Sequence, residues 1–307
     1  MSSFNLTTPV ALLVFNRPET TARVFAAVRQ ARPTHLLLVA DGPRAGVEGE
    51  AARCAEVRRI AEQVDWPCCV LKNFSETNLG CGARMASGIS WVFDQVEEAI
   101  ILEDDCLPHP SFFRYCQELL EKYRDDERIM HVAGNNALIQ SDKGSYSYYF
   151  SMFPHCWGWA SWRRAWRNYD FEMKLLSEVN AQGWLNGVLP GKDDARFWLE
   201  NFRKVHGPDK HTWDYQWTFA CWLNSGLSIL PNKCLISNLG FGAEATHTKD
   251  AASPFASVPV AEMEFPLHHP RFVMRDADAD ARAQRKIFSS NKWAILLLAL
   301  KNFLRGR

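Results

Sequence analysis

No apolar run in this 307-residue chain approaches the ~20 residues that a membrane-crossing helix requires. No CxxC pair occurs among its nine cysteines, whose number is odd and whose spacing is scattered. That pattern excludes a zinc ribbon and argues against a small secreted disulfide scaffold, so reduced thiols are expected. Met1–Asn5 has no basic n-region, and Val10–Phe15 is too short for a signal core. The expectation is therefore a cytoplasmic protein. Neither GxGxxG nor GxxxxGK followed by Ser or Thr is present. The turn after the first apolar run reads Asn16-Arg17-Pro18-Glu19, which rules out those two phosphate-binding devices. There is no internal repeat. The formal net charge is zero, so no whole-molecule field draws the protein to nucleic acid.

What is present begins with alternation. Val10–Phe15, Leu36–Ala40, Cys68–Leu71, Ala99–Leu102 and Ile129–Val132 read as short buried strands. Between them Glu19–Arg29, Glu50–Val64, Leu79–Val96 and Pro110–Arg124 read as helices; Phe112, Phe113, Cys116, Leu119 and Leu120 fall on one face of the last. Strands alternating with helices predict an α/β fold with a doubly wound, mainly parallel central sheet. Ligands of such sheets bind at the carboxyl ends of the strands. The loops expected there are Asn16-Arg17-Pro18, Asp41-Gly42, Asn73–Asn78 and Glu103-Asp104-Asp105.

After residue 145 the texture changes. Nine of the twelve tryptophans lie between Trp157 and Trp222. A helix is expected over Asp214–Leu223, with short strands near Leu227–Leu230 and Leu235–Ser237. Asp276, Asp278 and Asp280 alternate with Arg and Ala and read as a solvated linker. Residues 282–307 hold seven Lys/Arg and no acid, leaving about −7 on the rest by difference. Within them Trp293–Leu300 is apolar and flanked by Lys292, Lys301, Arg305 and Arg307. This tail suits an interfacial helix on an anionic leaflet, each basic residue contributing about 1 kcal/mol. Packing on the domain or into a dimer is the other reading. The expected organisation is a main domain over 1–249, an irregular Pro/Ala-rich extension over 250–290 and the basic tail over 291–307.

The tetrad Glu103-Asp104-Asp105-Cys106 carries the strongest chemical signal. Three carboxylates directly after a buried strand repel one another and are costly to desolvate unless a cation neutralises them. Hard divalent cations take oxygen ligands and often bind phosphates too, so a metal–diphosphate site is expected, Mn²⁺ before Mg²⁺.

Val14-Phe15-Asn16-Arg17-Pro18, Asp41-Gly42, Asn78-Leu79-Gly80, Leu102-Glu103-Asp104-Asp105, His155-Cys156-Trp157-Gly158-Trp159 and Trp213-Asp214-Tyr215 together resemble the GT-A-fold nucleotide-sugar glycosyltransferases. Within them the resemblance is to the branch with a Glu-Asp-Asp metal motif, which includes N-acetylglucosaminyltransferase I and similar bacterial enzymes. It runs from about Pro9 to Thr248, and it implies a GT-A-like sheet with the Trp-rich half on the acceptor side. The implied activity is metal-dependent, inverting transfer of a sugar from a nucleotide diphosphate, UDP first, to a glycan or lipid-linked glycan hydroxyl, at or near a membrane face.

By the same resemblance Asp105 and His247 would meet the metal or diphosphate, Asp104 the ribose and Glu103 the donor sugar. Arg17 and Asp41 would hold the base, Arg84 would sit near the nucleotide, and Gly158-Trp159 would pass under the donor sugar. Asp214 would be the catalytic base. Each has a plainer reading: Asp41 as a turn aspartate, Asp214 as an N-terminal carboxylate offsetting a helix dipole, His247 as a surface histidine. Trp159 and Trp213 are expected to offer faces to sugar C–H groups, while Trp162, Trp166, Trp198 and Trp222 are expected in the core. Two other activities remain open. A sugar-1-phosphate nucleotidyltransferase would share the sheet and metal but needs a glycine-rich basic first loop; a carbohydrate-binding protein would leave the acid triad unexplained.

Overall fold

A computed structural model describes residues 4–136, 141, 145–189, 191–207, 211–241 and 258–288. The first half follows the alternation closely: β1 (Val10–Val14), α1 (Pro18–Ala31), β2 (His35–Ala40), α2 (Glu50–Ala61), β3 (Cys69–Phe74), α3 (Cys81–Gln95) and β4 (Glu98–Glu103). A three-residue strand β5 (Cys106–Pro108), helix α4 (Ser111–Lys122) and β6 (Ile129–Ala133) come next. Every residue of β1 is buried, with Ala11 and Leu13 in the core on one face and Val10, Leu12 and Val14 in the core on the other. Helices cover both faces, so the strand is a continuous apolar run rather than an alternating one.

The second half is β7 (Tyr148–Ser151), β8 (Trp159–Trp162), α5 (Arg163–Trp166), α6 (Leu176–Ala181), α7 (Leu185–Val188), α8 (Lys192–His206), α9 (Asp214–Leu223), β9 (Leu227–Pro231), β10 (Ile236–Asn238) and α10 (Ala277–Ile287). The eight-stranded sheet runs β3-β2-β1-β4-β8-β6-β9-β7. β1 pairs in parallel with both β2 and β4, Leu13 lying opposite Val39 and Glu103. β8 is antiparallel to its neighbours β4 and β6, and β7 is antiparallel to β9, so six of the eight strands share one direction. Chain order reverses at β1, which opens a crevice at the carboxyl ends of β1 and β4, and Asn16-Arg17 and Glu103–Asp105 both emerge there. β10 pairs antiparallel with β5, Asn238 opposite Cys106, and so returns the chain to the acid triad.

β7 and β8 were not expected, and α10 corrects the reading of Asp276–Asp280 as a solvated linker. Asp276 caps α10 by accepting from Ala279 N at 3.0 Å. Asp280 is buried, ion-paired with Arg275 and bonded to Ser151 Oγ at 2.5 Å and Met152 N at 3.2 Å. Gln284 accepts from Trp198 Nε1 at 2.9 Å. The aspartates therefore latch α10 to the end of β7. His247 and the tail after residue 288 lie outside the described residues. Among the described residues no helix is long and apolar enough to cross a membrane.

Candidate active site

At the carboxyl end of β1, Pro18 opens α1 and Thr21 Oγ1 donates to the Arg17 carbonyl at 2.7 Å, holding the turn. The Arg17 guanidinium then reaches across to β4: Nη2 donates to Asp104 Oδ1 and Nη1 to Asp105 Oδ2 at 2.9 Å. Phe15 N adds a bond to Asp104 Oδ2 at 3.1 Å. The Arg17 guanidinium, expected to hold a base, is thus engaged by two of the three acids. Burial opposes the Arg17 cation, but Asp104 and Asp105 more than offset it and hold its pKa above the ordinary value. Burial also pushes the Asp104 carboxyl up, to about 6, against the pull of Arg17.

Glu103 differs from its two neighbours. Its half-buried carboxylate has no hydrogen-bond partner among the described residues. Burial, then Asp105 and Asp104, raise its pKa well above the carboxylate range, with Arg17 opposing and Asp214 adding to the rise. Three carboxyl groups thus share one guanidinium in this corner.

Asp214 begins α9 and comes from the other half of the chain. Thr212 Oγ1 donates to its Oδ1. The two halves meet at Cys81, the first residue of α3, whose thiol is pushed up to about 12 by burial, then by Glu103 and then by Asp214. Cys156 responds to burial, Asp214 and Glu103 in the same direction. Asp214 also lines a cavity of about 220 Å³, together with Asn135, His155, Cys156, Trp157 and Tyr215 among others. Asn135 follows β6 and the 155–158 loop enters β8, so topology carries both to the edge where Glu103 ends β4.

The remaining expected residues are placed as follows. Asp41 is buried and binds the second and third loops together, accepting from Gly42 N at 2.9 Å, Asn78 Nδ2 at 2.9 Å and Leu79 N at 3.0 Å. Arg84 is buried and ties α3 to the end of β3 through the carbonyl and Oδ1 of Asn73. Gly158 has φ +60°, and a Cβ there would run into Ile236, so the protein's own packing already demands glycine. Trp159 and Trp213 are both buried and stack on each other at 5.6 Å, with His131 5.0 Å from Trp159. Their rings belong to the core, which corrects the expectation of sugar-facing surfaces. Trp162, Trp166, Trp198 and Trp222 are core, as expected.

The oxygen donors beside Asp105 suit a hard divalent cation. Leu239 N donates to the Asp105 carbonyl at 2.7 Å and Gly240 N to Asn238 Oδ1 at 2.7 Å, which brings an amide oxygen to the carboxylate. A Cβ at Gly240 would collide with Asp105 Oδ2, so only glycine passes over it. Among the described residues no group of three or more His, Cys, Asp or Glu side chains is set to hold a metal. Asp105, itself paired with Arg17, is the carboxylate beside Asn238 Oδ1, so a cation there would need phosphate and water to complete its shell.

Asn135 and His155 had no role assigned from sequence, although His155 stands in the His-Cys-Trp-Gly-Trp motif. Asn135 Oδ1 and His155 Nε2 are buried without a hydrogen-bond partner among the described residues. A polar residue just past the carboxyl end of a buried strand was the signal for Asn135.

No family model matches the chain, and no curated protein does. Among solved structures it is similar to UDP-glucose pyrophosphorylase complexed with UDP-glucose, at 12% identity over 52% of this chain and 71% of that one, TM-score 0.26. It is similar to 4-diphosphocytidyl-2C-methyl-D-erythritol synthase from Anaerococcus prevotii at 13% identity over 71% and 99%, TM-score 0.31. Mouse xyloside xylosyltransferase 1, in its apo form, gives 11% identity over 71% and 84%, TM-score 0.34. Scores this low leave the sheet topology and the site itself as the ground for any functional reading.

Proposed function

We propose that the protein is a glycosyltransferase that moves a sugar from a nucleotide diphosphate donor, UDP-linked first, to a glycan or lipid-linked glycan hydroxyl with inversion. One observation carries the reading: Glu103 ends β4 at the sheet's switch point, and Asp214, from the other half of the chain, lines a cavity with Asn135 and His155, which the topology carries to that same edge. Asp214 accepts the proton of the acceptor hydroxyl. The acceptor oxygen attacks the anomeric carbon from the face opposite the leaving group. The bond from that carbon to the diphosphate oxygen breaks, and its electron pair departs with the diphosphate. Glu103, the member of the triad without a partner, accepts a hydroxyl of the donor sugar. Asp105 and Asn238 would hold a divalent cation, Mn²⁺ first, which supplies Lewis-acid neutralisation of the departing diphosphate when bound.

The sugar-1-phosphate nucleotidyltransferase reading is weaker on the first loop. Arg17 is committed to Asp104 and Asp105, and residues 16–18 contain no glycine to wrap a triphosphate. A thermal-shift panel of nucleotide sugars with and without Mn²⁺ tests the proposal, comparing wild type with Asp105→Ala. Stabilisation by UDP-sugars that needs both the metal and Asp105 is expected. Indifference to every nucleotide sugar, or release of pyrophosphate from UTP and a sugar 1-phosphate, would sink it.

A further inference from the structure

The cavity beside Asp214 has a composition that says what it accepts. Its volume of about 220 Å³ equals roughly seven waters at ~30 Å³ each, which is room for one six-membered ring with its hydroxyls. Phe153, Trp157, Tyr215 and Phe288 give it aromatic walls, which suit the C–H faces of a sugar. Into this space the protein turns two side chains that are almost wholly enclosed, Asn135 at 3% exposure and His155 at 9%. Asn135 Oδ1 and His155 Nε2 lack partners among the described residues. Buried polar atoms are seldom left so, and leaving one unmade is costly, which points to a ligand that completes them. Burial holds the His155 ring neutral, its pKa lowered to about 4. Among the described residues no Lys or Arg lines the cavity, and Asp214 is the one acidic side chain on its wall.

We propose that this cavity is the acceptor subsite and that it takes a single neutral pyranose, rejecting acidic sugars. Asn135 Oδ1 accepts from a ring hydroxyl or an acetamido N–H, and His155 Nε2 pairs with a second hydroxyl. Asp214 faces the hydroxyl that reacts. A uronic acid or phosphorylated sugar would place its anion against Asp214 with no cation among the described lining residues to meet it. The inference rests on the transferase reading and names its acceptor class.

Binding of methyl glycosides to the full chain, read by tryptophan fluorescence and saturation-transfer NMR, tests it. Methyl β-galactoside and methyl N-acetyl-β-glucosaminide serve as neutral probes and methyl β-glucuronide as the acidic one. At least one neutral glycoside should bind at least tenfold tighter than the glucuronide. Asn135→Leu should weaken it fivefold or more, whereas His155→Gln, which keeps a hydrogen-bonding group, should weaken it less than His155→Phe does. A glucuronide that binds as well as the neutral probes would overturn the inference. So would the binding of no glycoside, or binding that ignores both Asn135 and His155 in variants whose melting temperature is unchanged. If UDP-sugar stabilisation persists in those cases, only the acceptor class fails; its absence from wild type removes the transferase reading beneath it.

Discussion

The two sides of the crevice are held by different forces. On the β1–β4 side, Arg17, Asp104 and Asp105 form an ion-paired corner fastened by the Phe15 amide. On the α9 side, Asp214 stands on a stack of aromatic rings in which Trp159 and Trp166 each lie within 6.2 Å of both Trp213 and Trp217, with Tyr169 4.1 Å from Trp166. Opposed charges fix a carboxylate's position but are costly to separate once buried. Aromatic packing fixes a helix terminus without committing the charge it carries. The contrast leaves Asp214 free of any ion pair among the described residues, while Asp104 is tied to Arg17.

The comparison can be broken from either side, the largest effect first. Asp214→Asn should keep stabilisation by a UDP-sugar and lower the transfer rate by about 10²–10⁴-fold, read in a donor-consumption assay with a competent acceptor. Unchanged transfer would remove Asp214 as base. Trp159→Ala should cost about 3–5 kcal/mol in urea unfolding, because it empties the centre of the stack. Trp184→Ala, at a ring 62% exposed, should stay within about 0.5 kcal/mol. Arg17→Met should cost about 3 kcal/mol, since it leaves Asp104, 3% exposed at its side chain, without its counter-charge. A loss as small as that of Trp184→Ala would show that the corner does not depend on the pair.

A separate effect, read against pH rather than by substitution, is a slope on the aromatic side. His131 receives Trp217 Nε1–H at Nδ1 and donates from Nε2 to the His155 carbonyl, and burial lowers its pKa to about 3; burial lowers that of His155 to about 4. Both rings are neutral when folded, and both gain a proton in the unfolded chain below their ordinary pKa of 6.5. Stability is therefore fully present above about pH 6.5 and declines as pH falls toward 4. Each histidine contributes up to about 1.4 kcal/mol per pH unit. Urea midpoints at pH 7, 6 and 5 should trace this decline, and His155→Gln should flatten it by about half.

Much of the parallel half was readable because its strands are aliphatic runs, such as Leu36–Ala40 and Ala99–Leu102, closed off by turn residues. A strand buried on both faces leaves little else for such a run to be. Tyr148–Ser151 and Trp159–Trp162 were missed because rings and small polar residues carry no clear period, and β8 runs against its neighbours where a parallel strand was expected. The acids of α10 looked solvated because Arg275 and Ser151, which neutralise and bind Asp280, come from a turn before the helix and a strand more than a hundred residues away. The triad was legible as chemistry, but its partner was not: Arg17 stands 88 positions before Asp105 and meets it only through the β1–β4 pairing. Asn135 and His155 stood in positions the sequence could flag, but what marks them out is a missing contact, and only the folded chain defines one.

The latch of α10 on β7 has a temporal consequence. Ile287 and Phe288 help to wall the cavity beside Asp214, and the Asp280 bonds to Ser151 and Met152 bring them there. A nascent chain can settle β1–β4 early, because domains fold as synthesis proceeds from the amino end. Its cavity stays unfinished until residue 288 clears the ribosome.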